Sequence, residues 1–320
     1  MTCRRVFSAA PVIRPQLGEK AWSPSWVSLN EAAGAHHATK ACDPTPRYPL
    51  RTRGDLQLAS CLTRTARTSK HSIEMAPTRV LIFGATGGCG KHALSNLLDR
   101  GVQCVAVVRS EERLPAGCKG KSNLDIVVVP DGHLSMDDGA FAALVDGADA
   151  VVSVLGHNLT FKGMYGQPRR LCADTVQKIV AVASGRATPL KLIVVSTEGV
   201  DQPAQKDPPR GCGERALLST LKYLLPPHAD NMAVIDELEK AHSKVEFCAV
   251  RPADLVDGGE CTYECHAALQ GSIFSGLNKT HRANVGAFMA DLVTDDSVWA
   301  KWKNAYPHCY DTPAGGKKGD

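Results

Sequence analysis

Residues 79–109 read RVLIFGATGGCGKHALSNLLDRGVQCVAVVR, and this stretch decides the fold. The apolar run Val80, Leu81, Ile82 and Phe83 meets the glycines Gly84, Gly87, Gly88 and Gly90. Behind them Leu94, Leu97 and Leu98 recur at helical spacing, and a second apolar run ends in Arg109. The order is strand, glycine-rich turn, amphipathic helix, strand. A chain that leaves a buried strand and brings backbone N–H groups against a phosphate has no room for side chains at the closest points. The next helix aims its unpaired N–H groups and positive dipole end at the same place. Gly84, Thr86, Gly87, Gly88, Cys89 and Gly90 are therefore the expected cradle for a dinucleotide pyrophosphate. Cys89, at the helix N-terminus, is a candidate lowered-pKa thiol whose oxidation would block that cradle, or simply a small loop residue.

Arg109 closes the second strand, where NAD-specific folds carry an acid for the ribose 2′-hydroxyl. A guanidinium there, with Ser110 or Arg113 nearby, pairs instead with a 2′-phosphate, so NADP is expected over NAD. Further apolar runs follow at 124–129, 150–155, 192–195 and 245–250, separated by helical patterns, and 305–310 offers one more strand. Ligands of such a sheet sit beyond the carboxyl ends of its strands. Asp131, after the third strand, should lie near the adenine. His157, beyond the fourth, is a possible proton donor or a structural histidine. Ser196 and Thr197 end the fifth, where a hydroxyl bonds a substrate carbonyl or the nicotinamide amide, or caps the backbone. The segment 203–213 reads as a flexible insertion, 214–225 and 230–241 as helices split by Pro226 and Pro227, and 253–279 as a small, loop-rich substrate lobe. Thr280 is the expected cap of a helix facing inward with Val285, Phe288, Met289, Leu292 and Val293.

The chain has 320 residues, 43% of them hydrophobic and 5% aromatic, which fits a soluble globular protein. No apolar run approaches the ~18 residues of a membrane span. Residues 1–75 hold 11 Lys and Arg against 5 Asp and Glu, while 76–320 hold 26 against 28. A nearly neutral body argues against nucleic acid as a partner. Residues 1–75 lack sustained periodicity and carry repeated prolines, so a disordered leader is expected, followed by a nucleotide-binding domain over 76–312 and a disordered tail over 313–320. The leader is either an organellar transit peptide, for plastid or mitochondrion, or lies upstream of a true start at Met75 in a cytoplasmic protein; it is too weakly apolar for a secretory signal. The 12 cysteines are scattered without a C-x-x-C, which points to free thiols. Cys261, Cys265, His266 and Cys309 match no zinc spacing, so no metal is expected.

The motifs GATGGCG, VVRS, VVSVLG, VVSTEGV, HADNMAVIDELEK and AVRPADLVDGG, in this order, resemble the atypical short-chain dehydrogenase/reductases, in particular the NAD(P)H-binding group with NmrA-like proteins and biliverdin-IXβ/flavin reductases. The resemblance implies a Rossmann-type, doubly wound parallel sheet of six or seven strands and an NADP cofactor. It also implies that Leu155, Gly156, Ser196 and Pro252 border the nicotinamide and that Ser196 and Thr197 orient the acceptor. The superfamily's Tyr-x-x-x-Lys is missing: none of Tyr48, Tyr165, Tyr223, Tyr263, Tyr306 and Tyr310 has a lysine four residues later. Alcohol chemistry is therefore disfavoured. Two functions remain: a reductase of a small conjugated acceptor (flavin, quinone or tetrapyrrole), or a non-catalytic NADP sensor that reports redox state through a protein partner.

Overall fold

The computed structural model describes residues 78–157, 160–201, 207–259, 262–272 and 279–312. The expected leader and tail lie outside the described residues, as does part of the expected insertion. The first strand, β1 (Arg79–Phe83), sends Val80 and Ile82 into one core and Leu81 and Phe83 into another. A strand buried on both faces must be apolar throughout, which is why its sequence does not alternate. The chain continues through α1 (Gly90–Asp99), β2 (Gln103–Val108), β3 (Leu124–Val128), α2 (Asp138–Asp146), β4 (Ala150–Ser153), α3 (Phe161–Tyr165), α4 (Leu171–Ala183) and β5 (Leu190–Val195). Then come α5 (Cys212–Leu224), α6 (Pro226–Lys240), β6 (Val245–Pro252), β7 (Asp254–Val256), β8 (Tyr263–His266), β9 (Lys279–His281), α7 (Arg282–Thr294), α8 (Asp296–Trp302) and β10 (His308–Asp311).

The main sheet has the order β3-β2-β1-β4-β5-β6-β10-β8. All its pairings are parallel except the last, β10 with β8. Strand order reverses between β1 and β4, so the crevice that takes a nucleotide opens above those two strands. Helices α1, α7 and α8 cover one face, and α2, α4 and α6 the other. No described helix is long and apolar enough to cross a membrane.

The sheet thus has eight strands where six or seven were expected. The extra one, β8, comes from the region expected to be loop-rich, and β7 and β9 form a separate two-stranded sheet there. Three further expectations need correction. Thr280 does not cap α7: its hydroxyl donates to the Cys309 carbonyl and accepts from the Ala253 N–H, tying β9 to its neighbours, and His281 is the N-cap residue. Pro226 and Pro227 open α6 instead of standing in a gap, because proline suits the first helical turn, where N–H groups lack partners. Within the expected flexible insertion, Asp207 and Arg210 are anchored by buried ion pairs.

Candidate dinucleotide site

The turn from β1 to α1 is held by the Gly87 N–H donating to the Gly84 carbonyl. Gly84 has φ +84°, and a Cβ there would lie 2.7 Å from the Val154 carbonyl carbon, at the exit of β4. A Cβ on Gly90 would come within 2.8 Å of the Gly84 carbonyl carbon. Both glycines are thus required by backbone packing against backbone. Gly88 faces a side chain, since a Cβ there would be 2.7 Å from Arg282 Cδ. Arg282, the first residue of α7, pairs with Asp257 at 3.1 Å and so lies over the loop. Thr86 is half-buried in the turn, and Cys89 is buried at the N-cap of α1 without a side-chain capping bond. Burial pushes the Cys89 thiol up to about 11, against the Arg282 and Lys91 charges that would lower it. This favours the small-loop-residue alternative for Cys89 over the lowered-pKa thiol.

The remaining candidates lie along the carboxyl edge of the same sheet. Leu155 and Gly156 follow β4 against the glycine turn, Ser196 and Thr197 follow β5, and Pro252 ends β6. Ser196 is buried and its Oγ has no hydrogen-bond partner among the described residues. Thr197 is half-buried, and its Oγ1 accepts from the Gly199 N–H at 3.4 Å, a local turn contact. Arg109 is exposed just past β2 and makes no ion pair with any described residue; Asp131 is exposed three residues past β3. His157 sits apart from these. Its Nε2 is 2.8 Å from Asp230 Oδ2 and its Nδ1 3.2 Å from the Gly163 carbonyl, so neither ring nitrogen is left to face a substrate. The Asp230 hydrogen bond raises the His157 pKa, with burial opposing it. Asp230 also accepts the Cys172 and Ala173 N–H groups and so caps α4, a clamp that sequence spacing does not reveal. His157, Cys172 and Asp230 offer donor atoms within 4.8 Å of one another, but the carboxylate is already committed to the helix and the imidazole.

Residues 84–296 match the family described as NAD(P)H-binding. The chain belongs to that family. Comparison with curated proteins by sequence finds no match. Solved structures with the same fold include a protein from Bacillus halodurans described as an NAD-dependent epimerase/dehydratase, at 22% identity and TM-score 0.54, covering 73% of this chain and 94% of that one. A protein from Streptococcus pneumoniae described as an NADH-flavin reductase has 17% identity and TM-score 0.52, covering 73% and 100%. An anaerobilin reductase from Escherichia coli has 17% identity and TM-score 0.51, covering 75% and 100%. The resemblance to atypical short-chain dehydrogenase/reductases is borne out at the level of fold and family.

A nicotinamide dinucleotide fits what this NAD(P)H-binding chain presents. The turn at Gly84 and Gly90 leaves no space for side chains, α1 opens at Gly90 against it, and the Ser196 hydroxyl at the strand end has no partner among the described residues. Beyond Ser196 the same edge holds a buried polar group that motifs alone do not disclose. Arg251 is fully buried: its Nε donates to the Tyr306 carbonyl, and its terminal nitrogens donate to the Val200 carbonyl and both Asp207 oxygens. His308 Nε2 joins Asp207 at 3.2 Å, Arg210 bridges Asp201 and Glu214, and Glu198 lies buried beside Tyr310. The one sequence signal was charge at the ends of apolar strands, in VVSTEG and AVRP. A surface depression of about 220 Å³ between α4 and α6, lined by Gln177, Val180 and Lys244 among others, sits at the opposite end of the sheet.

Proposed function

We propose that the protein is an NADPH-dependent oxidoreductase that reduces a small conjugated acceptor of the flavin, quinone or tetrapyrrole type. The nicotinamide supplies the hydride when bound. The observation that carries the reading is the buried Ser196 Oγ without a partner among the described residues, at a sheet edge shared with the glycine turn and lacking a Tyr-x-x-x-Lys pair. A hydroxyl so disposed donates to a carbonyl of the bound ligand, satisfying a group that otherwise carries a desolvation cost. An extended π-system takes hydride without the phenol and lysine that an isolated ketone needs. In this reading Thr197 supports the strand end, Leu155, Gly156 and Pro252 wall the nicotinamide, and Asp131 lies toward the adenine. Arg109 is assigned to the 2′-phosphate because it is exposed, unpaired among the described residues, and stands where an acid would select NAD.

Full-length protein is mixed with NADPH or NADH and with menadione, dichlorophenolindophenol, FMN or biliverdin. Turnover with at least one acceptor is expected, with NADPH preferred, and Arg109→Glu should reverse that preference by about tenfold or more. Tight NADPH binding with no turnover of any acceptor would favour the sensor reading instead, in which a protein partner is captured in only one redox state.

A further inference from the structure

We propose that Glu198, held by Tyr310, is the group that delivers the proton to the acceptor. The inference rests on the reductase reading and supplies what the missing Tyr-x-x-x-Lys leaves unassigned. The pairing of β5 with β6 runs past the strands: the Ser196 N–H donates to the Val250 carbonyl and the Glu198 N–H to the Pro252 carbonyl. Glu198 follows Ser196 by two residues, in the turn that begins at Thr197 past the end of β5. Each is 7% exposed, and each has a buried oxygen without a partner among the described residues, Ser196 Oγ and Glu198 Oε2. Among the described residues His308 Nδ1 alone shares that condition, and its ring stacks on Tyr310 at 5.7 Å. Ser196 and Glu198 lie past the carboxyl end of β5, and His308 opens β10 level with Arg251 at the carboxyl end of β6, the edge where ligands of such a sheet sit.

Tyr310 lies beside Glu198 at the strand end, where its hydroxyl favours the charged carboxylate. Oε2, buried and without a partner among the described residues, is the oxygen left to carry a transferable proton. Four groups face the carboxyl: Tyr310 from β10, Asp254 from β7, Arg210 from the segment before α5, and Glu214 from α5. Burial pushes its pKa up to about 7, with Asp254 adding to the rise and the Tyr310 bond and Arg210 opposing it. Arg210 neutralises little of this, being spent on Asp201 and Glu214 at 2.6 Å each. At neutral pH much of the population therefore holds a proton on Glu198. In the reaction the acceptor gains a hydride and a proton. The Glu198 Oε2–H bond breaks as a bond to the acceptor's heteroatom forms, and the carboxylate is reprotonated from water.

The test compares full-length wild type with Glu198→Gln and Tyr310→Phe. Glu198→Gln should bind NADPH with wild-type affinity, by nucleotide fluorescence, while its rate with the best of menadione, dichlorophenolindophenol, FMN and biliverdin falls about 10²-fold or more. The wild-type rate should decline above about pH 7, and that decline should vanish in Glu198→Gln. Tyr310→Phe removes a bond that favours the carboxylate, so its decline should move to higher pH, a direction that general damage does not produce. A readout free of turnover is infrared absorption of a protonated carboxyl at about pH 6. The band should be missing from Glu198→Gln and should shift when NADP⁺ is added to wild type. Wild-type rate and pH profile in Glu198→Gln, or a carboxyl band indifferent to NADP⁺, would overturn the donor role alone. Wild type that binds NADPH but reduces none of the acceptors ends the reductase reading, and the donor role with it.

Discussion

At the scale of single residues, Arg251 shows how a charge is kept inside this sheet. Its guanidinium is 0% exposed and meets two carbonyls and a carboxylate, which uses its planar fork in a way lysine cannot reproduce. Removing it takes the guanidinium counter-charge from the Asp207 carboxylate, which keeps its bonds to His308 and the Leu269 N–H, and leaves two carbonyls without that donor. We expect Arg251→Met to lose about 3–5 kcal/mol of stability and Arg251→Lys to recover little of it. Adding Asp207→Asn to Arg251→Met should restore part of the loss, because the carboxylate charge is gone. Additive losses in thermal melts of the single and double variants would contradict this account. The sequence shows only an arginine ending an apolar strand. Asp207 lies 44 residues away and His308 57 residues away on the other side, so no local window reveals that the three meet. His157 misleads for the same reason, since its loop position suits a catalytic role until Asp230, 73 residues on, is seen to hold it.

At the scale of elements, what was legible is what is locally determined. The β1 to α1 turn reads directly because its constraints are local: Gly84 takes φ +84°, and Gly90 meets the Gly84 backbone six residues earlier. β8 does not read, because four residues give too little alternation and its partner β10 lies 42 or more residues away. Thr280 resembles a cap in sequence, yet its hydroxyl is taken by a carbonyl 29 residues on. The packing of α1 on α7 is equally non-local. A Cβ on Gly286 would lie 2.5 Å from His92 Cβ and 2.6 Å from the Ala93 nitrogen, so α7 is seated directly on the first turn of α1. Gly286→Ala must push the helices apart, at a cost of about 1–3 kcal/mol. Because α1 aims its N-terminus at the pyrophosphate, the shift should also weaken NADPH binding several-fold. Loss of stability with unchanged NADPH affinity would show that α1 keeps its aim when α7 moves.

At the scale of the whole molecule, the alternation of strands and helices announces a doubly wound sheet, whereas the buried charges that set its pH response appear only once the strand ends converge. Three groups act with different signs. Burial works against the charge on Asp207, but bonds from His308 and Arg251 outweigh it and hold the carboxyl well below the usual carboxylate range. That contribution is present above the unfolded value of about 4 and is lost as pH falls further. His157 is raised by Asp230, so its contribution is complete below about pH 6.5 and fades as pH rises through the folded value. Glu198 opposes folding over a window of its own. Its folded pKa is about 7 against 4.5 for the free side chain, so between those values the unfolded chain gives up a proton that the folded chain keeps. Stability therefore falls across that window, by about 3 kcal/mol in all. Glu198→Gln removes the falling component. Measured by urea unfolding, its stability relative to wild type should rise by roughly 3 kcal/mol between about pH 4.5 and pH 8, a gain at neutral pH in the variant expected to lose turnover. Parallel stability curves for the two proteins would mean that Glu198 ionises alike in the folded and unfolded chains, and its place at the strand end would then carry no stored cost for function to use.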